Sequence, residues 1–226
     1  MRSEPVVLVH GLGSSFDHGW RQPGWVDLLA DAGKTVIPVD LLGHGNAEKP
    51  HDPEAYTNLE TCVADALPDE PVDGIGFSLG AQLLLRLAAA DPKRFGKLVV
   101  IGVGANLFRE EDARVADLAD AFEHGASDED VYSQVFVRFA EGAGNDTKAL
   151  AACLRRPWEP LTNELLSGVI VPVLVIMGDR DFAGPPDPLV DALPDARAVR
   201  IPGIDHFRSA SDFHSIDAAL EFLEAV

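Results

Sequence analysis

The sequence predicts an α/β fold, a mostly or wholly parallel sheet of about six strands with helices on both faces. Three observations carry this. Short β-rich runs alternate with helical runs along the chain. The first strand-like run, Pro5-Val6-Val7-Leu8-Val9, is continuously apolar, as a strand covered on both faces must be. The segments that follow the strand-like runs are rich in Gly, Ser, His and Asp, and an open parallel sheet binds its ligands at those strand ends.

The elements follow in order. A helix is expected over residues 24–32, with Trp25, Leu28 and Leu29 on one face and Gly33 as its stop. Thr35-Val36-Ile37-Pro38-Val39 reads as the second strand, and residues 59–67 as a helix. Residues 72–77 form the third strand, and the Leu-rich run after Ser78 is a helix that ends before Asp91-Pro92. Lys97-Leu98-Val99-Val100-Ile101 is the fourth strand. No strand pattern interrupts residues 106–168, which carry helical periodicities and a break at Glu141-Gly142-Ala143-Gly144-Asn145. This stretch is expected to be a helical cap inserted into a core made of residues 1–105 and 169–226. Alternation resumes with a strand over 171–176, a helix over 187–193, a strand over 196–201 and a final helix over 212–224.

Composition bounds the function. At 226 residues, the chain suits one compact domain with a small insertion. The net charge of −19 argues against nucleic acid and anionic membrane surfaces as partners. The acids are scattered over helical segments (Asp27, Asp31, Glu110, Glu111, Asp112, Asp117 among them), which reads as a solvated surface. Cys62 and Cys153 match no metal-ligand spacing and read as reduced, packed thiols. No signal-peptide pattern and no apolar run of about 18 residues is seen, so a cytoplasmic protein without membrane attachment is expected. No metal or cofactor is expected: His10–Ser15 and Gly102-Val103-Gly104 match neither a dinucleotide fingerprint nor a P-loop. The oligomeric state is not legible.

The chemistry-bearing motif is Gly76-Phe77-Ser78-Leu79-Gly80, a G-x-S-x-G between a strand and a helix. A serine hydroxyl becomes an effective nucleophile when a tight turn lifts it clear of the backbone and a base reaches it. The turn needs small flanking residues, here Gly76 and Gly80. The other strand ends are His10-Gly11-Leu12-Gly13, Asp40-Leu41-Leu42-Gly43-His44-Gly45, Gly178-Asp179-Arg180-Asp181 and Gly203-Ile204-Asp205-His206-Phe207. They supply a serine, then an acid, then a histidine, the chain order of hydrolases built on this turn.

On these motifs the chain resembles the α/β-hydrolase superfamily over nearly its whole length, and within it the small-cap serine hydrolases: carboxylesterases, haloperoxidase-like esterases and enol-lactonases. The resemblance implies Ser78 as nucleophile, His206 as general base and acid, and Asp181 as the orienting acid, with Asp179 as its competitor two residues earlier. It implies an oxyanion hole from the backbone N–H groups of Leu12 and Leu79, the latter at a helix N-terminus. One departure is that only four residues precede Pro5, so the antiparallel strand pair with which the family usually begins is not expected. His10 and His44 read as buried structural residues and Asp205 as exposed. Trp20, Trp25, Phe108, Phe122, Phe136, Phe139 and Trp158 are candidates for an apolar acyl pocket, with Phe207 as a wall. With no basic cluster visible and Arg180 the one charged candidate nearby, the expected substrate is a small to medium, mainly apolar carboxylic ester. The serine at the elbow argues against epoxide hydrolases and haloalkane dehalogenases, which the resemblance gives an aspartate there. Thioesterases, lactonases and carbon–carbon bond hydrolases keep the serine, though the last carry a tryptophan where this chain has Phe207. A non-enzymatic small-molecule receptor is the alternative from another class.

Overall fold

The computed structural model describes residues 5–109, 113–157 and 159–225. The expectations for Trp158 and for Glu110, Glu111 and Asp112 lie outside these. Among the described residues, six strands form one sheet: β1 (Val6–Val9), β2 (Val36–Val39), β3 (Val72–Phe77), β4 (Phe95–Ile101), β5 (Val173–Gly178) and β6 (Ala196–Ile201). Their order is β2-β1-β3-β4-β5-β6 and every pairing is parallel. The chain runs outward from β1 to β2 and then returns to β3 on the other side of β1. This reversal opens a crevice at the carboxyl ends of β1 and β3, where doubly wound sheets take their ligands.

Alternation along each strand sorts the core into two layers. Val6 and Leu8 of β1, Ile75 and Phe77 of β3, and Leu174 and Ile176 of β5 point to one face. There they meet Trp25 and Leu29 of α1 (Trp25–Asp31) and Ile216 and Leu220 of α10 (Phe213–Phe222). Val7, Val9, Val100 and Val175 point to the other face, against Leu83 and Leu84 of α3 (Leu79–Ala90) and Leu189 of α8 (Asp187–Ala192). The helix expected over 59–67 is a single turn, α2 (Thr61–Ala64). The short helix α9 (His206–Ser209), capped by Asp205 accepting from Arg208 N–H, has too few residues to show a period in the sequence.

Between β4 and β5 lie α4 (Ala113–His124), α5 (Val131–Gly142), α6 (Thr147–Leu154) and α7 (Asn163–Leu166). Leu118, Phe122, Phe136, Ala140, Leu150 and Ala151 give α4–α6 a small core of their own. Several acids of the segment are helix caps: Asp130 accepts from Ser133 N–H, and Asp146 from Lys148 and Ala149 N–H. That accounts for part of the negative surface without invoking a ligand.

Buried polar groups fix the sheet and its end loops. Asp73 on β3, 1% exposed, accepts from the Lys34 ammonium at 3.0 Å and from Lys97 N–H at 3.0 Å, tying β3 to the loop before β2 and to β4. His10 and His44 are buried with rings 5.1 Å apart. His10 Nε2 accepts from Leu41 N–H, which leaves the proton on Nδ1 for Gly11 C=O, so its 3.8 Å approach to Asp40 is a contact of a neutral ring. Burial pushes the His10 value down. Burial, then the neighbouring His10, pushes His44 down to about 3.

Two stability predictions follow from these groups. Removing one partner of a buried ion pair strands the other, so Asp73→Ala is expected to lower unfolding free energy by about 3–5 kcal/mol, read from urea midpoints. The histidines give an acid sensitivity. An unfolded histidine takes up its proton near pH 6.5, whereas folded His44 does so only near 3, so the unfolded state gains protons first as the pH falls. Stability is therefore full above pH 6.5 and declines below it, by up to about 1.4 kcal/mol per pH unit for each such histidine. Urea unfolding between pH 6.5 and 5 checks this; His44→Gln is expected to flatten the slope.

Candidate active site

The turn between β3 and α3 is tight for a reason visible in its neighbours. A Cβ on Gly80 would lie 2.1 Å from the Val9 carbonyl oxygen, and one on Gly76 would lie 2.7 Å from the Ala81 backbone. With hydrogen at both positions, the first turn of α3 lies directly against the end of β1. Ser78 at the apex takes φ 51° and ψ −110°, a strained conformation for a side chain–bearing residue. Its N–H bonds to Ile101 C=O (2.9 Å), and its C=O accepts from Gln82 N–H (3.1 Å). These hold the strain and leave the side chain free to point out of the turn.

The structure brings Ser78, His206 and Asp181 together. Ser78 Oγ lies 3.1 Å from His206 Nε2, and His206 Nδ1 lies 2.9 and 3.0 Å from the two oxygens of Asp181. The Asp181 side chain is fully buried, and that of His206 is 3% exposed. Asp181 also accepts from Ala183 N–H at 2.8 Å, and the Ser209 hydroxyl lies 3.5 Å from it. A carboxylate so bonded keeps a fixed direction, and an imidazole bonded through Nδ1 presents Nε2 to the serine. Asp179 is elsewhere: exposed, it accepts from Gly203 N–H at 2.7 Å, as a turn residue does. Phe77 and Phe182 close on the imidazole, with centroids 4.9 and 4.2 Å away.

Ser78 opens onto a cavity of about 220 Å³. Leu12 and Leu79 flank the serine in its wall. Leu79 is the first residue of α3, where a backbone N–H has no intrahelical acceptor. Among the described residues, no protein group accepts from the N–H of Leu12 or Leu79.

The rest of the wall corrects the sequence reading. Of the aromatic candidates among the described residues, only Phe136 lines the cavity, joined by Tyr132 and Phe182, which the sequence did not single out. Trp20 and Trp25 are wholly buried in the layer under the sheet, stacked edge to face at 5.4 Å. Phe122 is in the core of the helical segment, and Phe108 is partly exposed. Phe139 and Phe207 pack on each other at 5.2 Å, behind the wall. Arg180 is exposed and outside the cavity, while Arg109, Arg114 and Arg156 line it. The expected absence of a basic cluster is thus overturned. These arginines share no motif in sequence, and only the packing of the helices between β4 and β5 brings them together.

Asn145 is a second residue that the sequence did not mark, beyond the break it ends. Nearly buried, it donates to Gly13 C=O (2.7 Å) and Ser14 C=O (2.9 Å) and accepts from Gly45 N–H (2.9 Å). It thereby ties the loop after α5 to the strand-end loops of β1 and β2. An asparagine closing a helix is a turn signal in sequence; its long-range partners leave no local trace.

Comparison with known proteins agrees with this architecture. A family model described as the alpha/beta hydrolase fold matches residues 4–133. Among curated relatives, the 2-hydroxymuconate semialdehyde hydrolase of Pseudomonas sp. (strain CF600) is 32% identical over 104 residues, covering 43% of this chain and 36% of that protein. The 2-hydroxy-6-oxo-2,4-heptadienoate hydrolase of Pseudomonas putida is 34% identical over 106 residues, covering 43% and 37%. The matched region thus spans little more than a third of those relatives. Among solved structures, the putative non-heme bromoperoxidase BpoC of Mycobacterium tuberculosis superposes with a TM-score of 0.75 at 20% identity, covering 99% of this chain and 92% of that one. The 2-hydroxy-6-oxo-6-phenylhexa-2,4-dienoate hydrolase of Rhodococcus sp. strain RHA1 gives 0.72 at 18%, covering 99% and 91%. With six parallel strands in this order, a serine at the β3–α3 turn and a family match over more than half its length, the chain belongs to the α/β-hydrolase fold family.

Proposed function

We propose that this protein is a hydrolase that cleaves a carboxylic ester through an acyl-enzyme on Ser78. The observation that carries the reading is the unbroken chain from Ser78 Oγ through His206 to buried Asp181, opening onto a cavity. His206 Nε2 takes the hydroxyl proton as Ser78 attacks the ester carbonyl. The imidazolium so formed is stabilised by Asp181, which stays ionised. The tetrahedral oxyanion accepts from the N–H groups of Leu12 and Leu79. His206 then returns the proton to the departing alkoxide, leaving the acyl group on Ser78. Water, deprotonated by the same histidine, then attacks the acyl carbon, and His206 returns the proton to Ser78 Oγ as the acid leaves.

In this reading residues 106–168 act as a cap over the crevice, supported by the five residues it lends to the cavity wall in α4 and α5: Arg114, Val115, Leu118, Tyr132 and Phe136. The cavity is small beside the roughly 300–1,000 Å³ of drug-sized sites, which favours short acyl groups. A cytoplasmic setting is part of the proposal, supported by Cys62 and Cys153 standing unpaired. A second reading, hydrolysis of a carbon–carbon bond beside a ketone, is favoured by the names of the two curated relatives, which describe substrates without an ester. The same triad would serve it.

Hydrolysis of p-nitrophenyl acetate, butyrate and octanoate separates these readings. Turnover is expected to be fastest on the shorter chains and to fall by about 10³-fold or more in Ser78→Ala. Undiminished turnover in that variant would sink the proposal. Absence of ester turnover alongside cleavage of a 6-oxo-dienoate would favour the second reading. Asp181→Asn is expected to lower kcat by about 10²–10⁴-fold, whereas Asp179→Asn is expected to stay within about twofold of the parent. The reverse pattern would reassign the acid.

A further inference from the structure

The cavity wall carries charge of the opposite sign to the chain. The sequence has 37 acids against 18 lysines and arginines, yet Arg109, Arg114 and Arg156 line the cavity and, among the described residues, no acid does. Two of these guanidinium groups are engaged by neutral groups. Arg156 Nη1 donates to Cys153 C=O at 2.6 Å, with the Cys153 sulfur at 3.8 Å. Arg109 Nη1 reaches Phe182 C=O at 3.5 Å. Each guanidinium has five N–H donors, so the bonds seen among the described residues leave most of them for a ligand. Arg114 is a third on the same wall, 6.0 Å from the Tyr132 ring.

The two come from different parts of the fold. Arg109 follows β4, with its guanidinium against the loop that carries Asp181. Arg156 follows α6 on the helical segment. Leu107, Leu118, Phe136 and Leu161 on the same wall are apolar. A wall of this kind suits a short methylene chain that ends in a planar anion. Guanidinium forks match a carboxylate with two parallel hydrogen bonds, and the apolar, partly enclosed surroundings strengthen each.

We propose that the acyl group of the substrate ends in a carboxylate held by Arg109 and Arg156, so that the preferred substrates are half-esters of short dicarboxylic acids. This rests on the reading of Ser78 as the nucleophile only for what happens after binding. It also replaces the mainly apolar substrate expected from sequence.

Binding and turnover test the two layers separately. Ser78→Ala protein, which cannot form an acyl-enzyme, is titrated calorimetrically with monomethyl succinate and with its uncharged near-isostere methyl 4-methylpentanoate. The half-ester is expected to bind at least tenfold more tightly. Adding Arg109→Gln or Arg156→Gln is expected to collapse that preference toward unity. Arg109 is exposed, so its variant is the safer for folding, and circular dichroism checks both. Equal binding of the two esters, tighter binding of the neutral one, no binding of either, or a preference untouched by Arg109→Gln would each overturn the proposal. Turnover by the parent, followed by pH-stat, tests the serine reading independently. A parent that hydrolyses the neutral ester as well as the half-ester keeps the esterase and loses the carboxylate site. A protein that binds the half-ester through the arginines but turns over neither ester keeps the site and loses the esterase.

Discussion

The close approach of α3 to the end of β1 is the constraint on which the rest of the site depends. Gly80 lies against the carbonyl oxygens of Val9 and His10, where any side chain would collide with the strand. That contact has two consequences at once. It forces the reversal at Ser78 into a conformation with φ 51°, held by bonds to Ile101 and Gln82. It also brings the first turn of α3, with its unpaired N–H groups, beside the loop that continues β1 through Leu12. The strain, of order 1–3 kcal/mol for such a residue, is sustained by a sheet whose four central strands are mostly buried. A less rigid platform would relax the turn and withdraw the hydroxyl from the imidazole.

Around that platform the strand-end loops are locked largely by hydrogen bonds from buried polar groups. His10 bridges Gly11 and Leu41 as a neutral ring, and Asn145 spans the ends of β1 and β2, while the partly buried Asp40 accepts from Phe16 and Asn46 N–H. Neutral networks keep their geometry across the pH range in which the histidines stay uncharged, and low dielectric strengthens them. The cost is the loss of stability on acidification, since burial denies His10 and His44 the proton that an unfolded chain would take. The groups that make the fold acid-sensitive thus sit in the strand-end loops behind Leu12, which lines the cavity.

The sequence made the sheet legible because its signals are local: continuous apolar runs, glycine stops and a chemistry-bearing loop at each strand end. It also pointed to Ser78, Asp181 and His206, which the fold sets within hydrogen-bond distance of one another, because that chain order is imposed by sheet topology. The cavity wall was much less legible. Trp20 and Trp25 were marked for their size, and size is also what suits a residue to the layer under a sheet. Arg109, Arg114 and Arg156 carry no spacing signal, since they converge only when α4, α5 and α6 pack on the core. Asn145 was visible only as the end of a helix break, because its partners lie about a hundred residues and more away in sequence.

The charge distribution gives the cavity a direction as well as a preference. A chain of net charge −19 repels anions at long range, but screening confines that field to about 8–10 Å from the surface at physiological salt. Inside the cavity the balance reverses, because guanidinium groups beside apolar walls act through a lower dielectric than water. On the carboxylate site proposed above, a half-ester would arrive with one negative charge, opposed weakly at the surface and attracted at short range. Hydrolysis converts it into a dicarboxylate with two, and the second charge forms at Ser78, beside buried Asp181 and away from any cation assigned to hold it. The arginines retain one carboxylate while the acid beneath the histidine disfavours the other. On that proposal, a positive wall within an acidic protein would bind a monoanion selectively and weaken its hold once the ester bond is cut, which a uniformly basic site would not do.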